Sequence, residues 1–187
     1  MDEKTKLAIF DFDGTLFDTR MVNFAAYSEA LKEYGYSIEY DYYCTSCNGL
    51  HYKDFLPGIM GNNLEAIESV HEKKMIYYQK HLDKARINGH LFAIAEALRN
   101  LYYTAVVTTA SRKNCLDLLL YFNRENDFDL ILAHEDITRS KPDPEGFMKA
   151  IDYFGVDKKD TIIFEDSVPG IEAAQKTGAA VFVVERF

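Results

Sequence analysis

Apolar residues along this chain follow two different spacings, and the change falls near residue 90. From about residue 19 to residue 86, apolar positions recur every three or four residues. One such stripe runs from Phe24 to Tyr34, and a longer one predicts a helix from about Leu64 to Ala85. After residue 90, helical stripes alternate with short apolar runs that are typical of buried strands. This alternation predicts a parallel sheet whose strands are connected by crossover helices.

One further strand is predicted before the helical interval, so that interval interrupts the sheet-forming part of the chain. The predicted strands cover residues 5–11, 103–108, 128–133, 161–165 and 180–184. The fold is therefore predicted to be α/β, with a Rossmann-like parallel sheet core formed by residues 1–18 and 87–187. Residues 19–86 are predicted to form a small α-helical domain, without strands, inserted into that core.

The composition is that of an ordinary globular protein, and it argues against two classes of partner. Apolar residues make up 48% and charged residues 27% of the 187 residues, and the net charge of −9 disfavours nucleic acid and anionic membranes as partners. No apolar stretch is long enough to span a bilayer, and residues 1–4 lack the apolar core of a signal peptide. Three cysteines are too few for a disulfide framework, so we expect a cytoplasmic protein. The sequence does not reveal the oligomeric state, and a monomer is favoured.

The most informative chemistry lies at the end of the first predicted strand, in residues 11–15 (DFDGT). Side chains alternate along a strand, so Asp11 and Asp13 can act together only where the strand ends and the backbone bends. Gly14 permits that bend. Two acids at such a point indicate a site for magnesium and phosphate, although the same residue types also occur in turns without chemistry.

Three distant motifs favour the chemical interpretation. An apolar run leads into Thr108 and Thr109, a later loop carries Lys141 before a proline, and a second acid pair, Glu165 and Asp166, follows residues 162–164. The carboxyl ends of parallel strands meet at one edge of a sheet, so we expect both acid pairs and Thr109 to lie together there.

The four motifs, in this order, resemble the haloacid dehalogenase-like superfamily over almost the whole chain, in particular its β-phosphoglucomutase and phosphoglycolate phosphatase branch. In that branch the helical insertion after the first motif is a cap. The resemblance implies a Mg²⁺-dependent phosphatase that hydrolyses a small phosphorylated metabolite, such as a sugar phosphate or a phosphoglycolate-like acid. Dehalogenases of the superfamily lack an acid at the position of Asp13, which favours the phosphotransferases.

The resemblance also implies a role for each motif residue. Asp11 would be the nucleophile that forms an aspartyl-phosphate, and Asp13 would protonate the leaving alcohol and then deprotonate water. Thr109 would donate a hydrogen bond to a phosphate oxygen. Lys141 would neutralise the charge of Asp11 and of the phosphate.

The same resemblance assigns the metal and phosphate ligands. Mg²⁺ would be bound by the Asp11 and Asp166 carboxylates and by the Asp13 carbonyl, with Glu165 beside them or acting through water. Backbone amides near Phe12, Asp13 and Ala110 would complete the phosphate site.

Alternative functions remain open on sequence grounds. β-Phosphoglucomutases usually carry a histidine where Asn23 stands, which favours hydrolysis over a mutase-type phosphotransfer. Phosphorelay receivers also use an acid cluster, a Thr or Ser and a Lys, but they have no helical insertion after the first strand. A non-catalytic binding protein on this fold would usually have lost one of the first two acids.

The helical interval offers weaker candidates. His51, Tyr52 and Lys53 are candidate substrate contacts in the predicted cap. Cys44 and Cys47 are spaced as a zinc or redox pair could be, but the chain has no second Cys pair. Packing inside the cap is the favoured interpretation for both cysteines.

Overall fold

A computed structural model describes residues 4–61 and 63–185 of the chain. These residues form two compact units. One contains the chain up to Asp18 and again from Arg86 onward, and the other is Thr19–Ala85. No helix among the described residues has the combined length and apolarity that crossing a bilayer requires.

The first unit is built on a parallel sheet. Its strands, including a short separate pair, are β1 (Lys6–Phe10), β2 (Phe17–Asp18), β3 (Arg86–Ile87), β4 (Tyr102–Val107), β5 (Leu130–Leu132), β6 (Thr161–Glu165) and β7 (Ala180–Val183). Five of them form one sheet in the order β5-β4-β1-β6-β7, and every neighbouring pair is parallel. The predicted α/β class and parallel sheet are confirmed.

Four of the five predicted strands differ from the structure by one or two residues at their ends, and one strand pair was not predicted. β5 is shorter than the predicted 128–133, because the Asp129 carboxylate accepts the Thr104 N–H at 2.8 Å and takes the place of a strand partner. The pair β2 and β3 was not predicted, since two residues are too few to show an alternation. Asp18 pairs with Arg86 in this antiparallel ladder, so Arg86 lies in a strand rather than in the helical interval.

Helices cover the sheet and bury its apolar side chains. They are α5 (Gly89–Leu98), α6 (Arg112–Tyr121), α7 (Glu145–Phe154) and α8 (Val168–Thr177). Leu7 and Ile9 of β1 are fully buried against Phe147 of α7 and Ala173 of α8. On the other face, the rings of Phe10 and Phe164 stack at 4.7 Å. The central strands are therefore held rigidly from both sides.

The second unit is helical. It contains α1 (Arg20–Glu33), α2 (Tyr40–Tyr42), α3 (Tyr52–Met60) and α4 (Ile67–Lys80). The predicted helix from Leu64 to Ala85 is too long, because single 3₁₀ turns at Leu64–Ala66 and Leu82–Lys84 flank α4. Leu64, expected on the apolar face, is exposed, whereas Lys74 is buried with its ammonium 4.8 Å from the centre of the Tyr78 ring.

Candidate active site

The ends of three adjacent strands bring the predicted site residues together. Asp11 follows β1, Thr109 follows β4 after one residue, and Glu165 is the last residue of β6. These strands occupy the middle of the sheet in the order β4-β1-β6, so their carboxyl ends share one edge. The Asp11 N–H donates to the Phe164 carbonyl at 2.9 Å, which fixes the Asp11 backbone to the strand that carries Glu165.

Three carboxylates form a cluster at this edge, in which Asp11 and Glu165 are buried and Asp166 is half-buried. Asp11, Glu165 and Asp166 each offer an oxygen, and these oxygens all lie within 4.8 Å of one another. Burial, together with the charge of Asp11, raises the pKa of Glu165 to about 7 and the pKa of Asp166 to about 6. Close carboxylate oxygens that repel one another when ionised are the donor set that a hard divalent cation such as Mg²⁺ prefers.

Lys141 provides the positive charge inside the cluster. Its Nζ lies 2.5 Å from Asp11 Oδ1 and 3.0 Å from Glu165 Oε2. Burial lowers the pKa of Lys141, but the charges of Asp11 and Glu165 outweigh burial and raise it. Lys141 therefore remains an ammonium although its side chain is only 10% exposed.

Glu165 is fully buried, and both of its oxygens have protein partners. Oε2 accepts from Lys141, and Oε1 accepts from the Ser167 hydroxyl at 2.6 Å and from the Ser167 N–H at 3.2 Å. A Cβ on Gly170 would lie 1.8 Å from Oε1, so the first turn of α8 encloses this carboxylate. These contacts hold Glu165 against Lys141.

The Asp166 carboxylate is held from the turn after β1. Thr15, which is fully buried, donates its hydroxyl hydrogen to Asp166 Oδ1 at 3.1 Å. Gly14 has φ +94°, and a Cβ on it would lie 2.1 Å from Asp166 Oδ2. Sequence reasoning identified Gly14 as a bend but missed this close approach and the role of Thr15. The available sequence signal was a hydroxyl side chain directly after the glycine.

Asp13 and Phe12 complete that turn in different ways. Asp13 is half-buried and pairs through its backbone with Phe17, and the cluster of three carboxylates does not include it. The Phe12 side chain is fully buried with its ring 5.0 Å from that of Phe17, and its carbonyl accepts the N–H groups of Leu16 and Phe17. The turn is therefore fixed by its own backbone bonds and by an aromatic pair.

In the loop after β4, Thr108 and Thr109 face opposite ways as predicted, but the Ala110 N–H has a partner within the protein. Thr108 is buried and Thr109 is exposed. Ala110, whose N–H was expected at the phosphate, instead donates that N–H to Thr108 Oγ1 at 3.0 Å. The reason is local, because a threonine hydroxyl readily accepts the backbone N–H two residues ahead. Ser111 then accepts the Asn114 N–H and caps α6.

The candidate substrate residues of the helical unit form a cluster of their own. His51 caps α3 by accepting the Lys53 N–H, and the Tyr52 ring stacks on His71 at 3.7 Å. The Tyr52 hydroxyl and the Lys53 ammonium both contact Glu68, each at 2.8 Å. Sequence reasoning missed Glu68 and His71 as members of this cluster. Their spacing of three on α4 was the available signal.

The cysteines show no sign of a metal site. Cys44, Cys47 and Cys115 are all free, and the latter two are buried. Among residues 4–61 and 63–185, the group of three or more side chains that could hold a metal ion is the carboxylate cluster, which includes neither Cys44 nor Cys47.

Comparisons with known proteins agree with this geometry. The sequence pattern of the haloacid dehalogenase-like hydrolases matches residues 8–184. The chain is 28% identical over 178 residues to the phosphorylated carbohydrates phosphatase of Thermotoga maritima, covering 91% of this chain and 80% of the relative. It is 27% identical over 182 residues to the fructose-1-phosphate phosphatase YqaB of Escherichia coli, covering 95% of both.

A solved structure has the same fold. The crystal structure described as a "predicted phosphoglycolate phosphatase" from Haemophilus somnus superposes with a TM-score of 0.88 at 22% identity, covering 99% of this chain and 87% of that one. The resemblance stated from the four motifs is thereby confirmed. Since the family pattern spans nearly the entire sequence, the chain belongs to the haloacid dehalogenase-like hydrolase family.

Proposed function

We propose that the protein is a Mg²⁺-dependent phosphatase that hydrolyses a small phosphorylated carbohydrate through an aspartyl-phosphate on Asp11. The observation that carries the proposal is the buried contact of Lys141 with Asp11 inside the carboxylate cluster. The phosphatases among its relatives, two of which are named for phosphorylated carbohydrates or fructose 1-phosphate, support the substrate class. A cytoplasmic location is part of the proposal, supported by three free cysteines.

In the first half-reaction, an Asp11 carboxylate oxygen attacks phosphorus. The bond from phosphorus to the ester oxygen breaks, and Asp13 gives its proton to the departing alcohol. Lys141 balances charge on Asp11 and on the phosphoryl oxygens, and Thr109 donates a hydrogen bond to one of those oxygens. Mg²⁺, bound by Asp11, Asp166 and the Asp13 carbonyl, would supply further neutralisation of the phosphate charge.

In the second half-reaction, water attacks the phosphorus of the aspartyl-phosphate. Asp13, now ionised, takes a proton from that water, and the bond from phosphorus to the Asp11 oxygen breaks. Inorganic phosphate leaves and the Asp11 carboxylate is restored. The role of Glu165 is to hold the Lys141 ammonium, since both Glu165 oxygens already accept hydrogen bonds from protein groups.

Hydrolysis is favoured over mutase chemistry by the residue at position 23. The Asn23 side chain donates to the Thr19 carbonyl at 3.2 Å and to the Thr19 hydroxyl at 3.3 Å. An amide cannot exchange a proton with substrate as a histidine can. The expected product is therefore inorganic phosphate rather than an isomeric sugar phosphate.

We also propose that the two units have different roles. Residues 1–18 and 87–187 would form the catalytic core, and residues 19–86 would act as a cap that influences substrate choice. His51, Tyr52 and Lys53 are the proposed substrate contacts of that cap.

Phosphate release tests the function directly. A panel of sugar phosphates, phosphoglycolate and pyrophosphate should give Mg²⁺-dependent phosphate release, with sugar phosphates turned over best. Asp11→Asn should lower kcat by at least about 10⁴-fold, because the amide oxygen is a poor nucleophile, while the circular dichroism spectrum stays unchanged.

The control for this variant is Asp152→Asn, which changes an exposed acid of α7 and should leave kcat unaltered. Substantial turnover by Asp11→Asn would show that Asp11 is not the nucleophile. Repeating the panel with Lys53→Ala tests the cap proposal, since unchanged KM values for all substrates would contradict it.

A further inference from the structure

Glu145, the first residue of α7, makes more hydrogen bonds than its position near the surface would suggest. Its side chain is only 11% exposed. Oε1 accepts the Thr138 N–H at 2.9 Å, and Oε2 accepts the Arg139 N–H at 2.9 Å. Oε1 also accepts from Lys149 Nζ at 2.6 Å, and Oε2 from Arg139 Nε at 3.2 Å. One carboxylate thus ties two consecutive backbone amides to a helix.

These bonds fix the loop immediately before Lys141. Arg139 is two residues from Lys141, so its bonded N–H sets the direction in which the chain enters the lysine. Beyond Lys141, Asp143 accepts the Glu145 N–H at 3.0 Å and pairs with Arg139 at 3.1 Å. The loop is therefore held to the start of α7 on both sides of Lys141.

A fixed loop matters for Lys141 because its side chain is long and flexible, whereas its ammonium must reach two specific carboxylate oxygens. A lysine has four rotatable side-chain bonds, and confining them costs free energy. The ammonium must meet Asp11 and Glu165 at once, at 2.5 and 3.0 Å. A shift of the loop by about 1 Å would move the ammonium away from this geometry.

The same bonds extend to the loop that carries Thr109. Lys149 donates to the Asp136 carbonyl at 2.8 Å, and the Asp136 carboxylate accepts the Ala133 N–H at 2.8 Å and pairs with Arg112. Arg112 is the first residue of α6, three positions after Thr109. The acidic side chains thus link the two loops that would bind phosphate.

We infer that Glu145 is a positioning residue for Lys141: by holding the Thr138 and Arg139 amides, it places the ammonium against Asp11. The inference rests on the proposed function, in which Lys141 neutralises Asp11 and the phosphate. The Glu145 carboxylate bonds to Thr138, Arg139 and Lys149 rather than to Lys141, so its effect is exerted through the loop.

The test uses Glu145→Ala in the full chain, with two measurements. Thr138 and Arg139 are exposed, so water can replace the lost carboxylate and the fold should survive. We expect kcat to fall by about ten- to one hundred-fold, because the ammonium is misplaced. We also expect acetylation of Lys141 by an N-hydroxysuccinimide ester, followed by peptide mass spectrometry, to become several-fold faster.

Asp117→Ala is the matched control. Asp117 pairs with Lys113 at 2.7 Å, four residues apart on a helix, as Glu145 pairs with Lys149. This control should leave both kcat and the acetylation rate of Lys141 unchanged. Glu145→Gln keeps the shape and one acceptor oxygen, so it should give a smaller change in the same direction and remain folded if Glu145→Ala does not.

Two results would overturn the inference. One is a Glu145→Ala protein in which Lys141 is acetylated at the wild-type rate, whatever its kcat. The other is a Glu145→Ala substitution that lowers kcat as much in a Lys141→Ala background as in the wild type, since effects exerted through Lys141 should not add. Acetylation needs no turnover, so failure of the proposed function leaves the first result decisive.

Discussion

At the scale of single residues, the site is a balance of buried charges. Asp11, Glu165 and Asp166 face one ammonium, that of Lys141, so the ionised cluster carries two uncompensated negative charges. Buried charges are tolerated only when they are paired and hydrogen-bonded. Burial and the charge of Asp11 raise the pKa values of Glu165 and Asp166, and one divalent cation would supply the missing positive charge.

Gly14 gives a residue-scale prediction. Gly14→Ala would place a Cβ within 2.1 Å of Asp166 Oδ2 and would force alanine into φ +94°. We expect the Asp166 carboxylate to be displaced, so that the Mg²⁺ concentration needed for half-maximal activity rises by about tenfold or more. Activity titrated with Mg²⁺ measures this effect.

Gly155→Ala separates backbone strain from displacement of the ligand. Gly155 ends α7 with φ +63°, and a Cβ there would meet nothing within 4 Å. This control should cost about 1 kcal/mol of stability and leave the Mg²⁺ requirement unchanged. Equal Mg²⁺ requirements for the two variants would show that Gly14 is not needed for the position of Asp166.

At the scale of elements, the end of a strand and the start of the next helix each contribute side chains to the candidate site. β6 ends in Glu165, and α8 begins three residues later at Val168. Ser167 caps this helix by accepting the Gly170 N–H, and its hydroxyl donates to Glu165. One serine thus stabilises a helix terminus and a buried carboxylate together. In the helical unit, His71 of α4 is half-buried and also has two partners. Its ring stacks on that of Tyr52, and its Nδ1 lies 3.4 Å from the Tyr27 hydroxyl.

The burial of His71 should make the stability of the helical unit depend on pH. Burial, and then the charge of Lys74, lowers the pKa of His71 from 6.5 to about 4, with smaller opposing and assisting effects from Glu68, His51 and Lys53. Between pH 6.5 and about 4 the unfolded chain binds a proton that the folded chain does not. The free energy of unfolding should therefore fall over this window as the pH falls.

Urea titrations at pH 7 and pH 4.5 measure this loss, which should be about 1 to 2 kcal/mol after solvent screening is allowed for. His71→Gln should remove that part of the pH dependence, while His90→Gln, at an exposed position, should not. If His71→Gln kept the full acid sensitivity, the burial of His71 would not be its cause.

At the scale of the whole molecule, the charge of the protein opposes its proposed substrate. The net charge is −9, and a phosphomonoester is itself an anion, so approach from a distance is repulsive. Attraction must therefore come from local positive charge, such as that of Lys141 and of a bound cation. Substrate binding therefore depends on charges at the site, which must overcome the repulsion that arises from the net negative charge of the protein.

This field predicts the effect of salt. Raising the ionic strength from about 10 mM to about 100 mM, at saturating Mg²⁺, shortens the screening length from about 30 Å to about 10 Å. The long-range repulsion should weaken, so kcat/KM for a dianionic sugar phosphate should rise. Steady-state kinetics in sodium chloride measure the change, and a steady fall in kcat/KM would show that local positive charge governs association instead.

Much of the fold could be predicted from the sequence, because the relevant signals are local. Strand β6 has the predicted bounds, and the other sheet strands differ by one or two residues at their ends. Helix α4 was predicted too long because spacing alone does not show where an apolar stripe loses its buried partners, as at the exposed Leu64. The pair β2 and β3 exists through long-range pairing, which two-residue segments do not reveal.

The sequence by itself identified Asp11, Thr109 and the pair Glu165 and Asp166 as candidates, since these motifs stand at the ends of apolar runs of recognisable period, and it identified Lys141 through the order of the four motifs. Only the tertiary structure decided how those residues are held: the Ala110 N–H is taken by Thr108, Asp166 packs on Gly14, and Glu145 anchors the loop of Lys141. The physical reason is that periodicity records which face of an element is buried. Hydrogen bonds and close approaches depend instead on where separate elements meet in space.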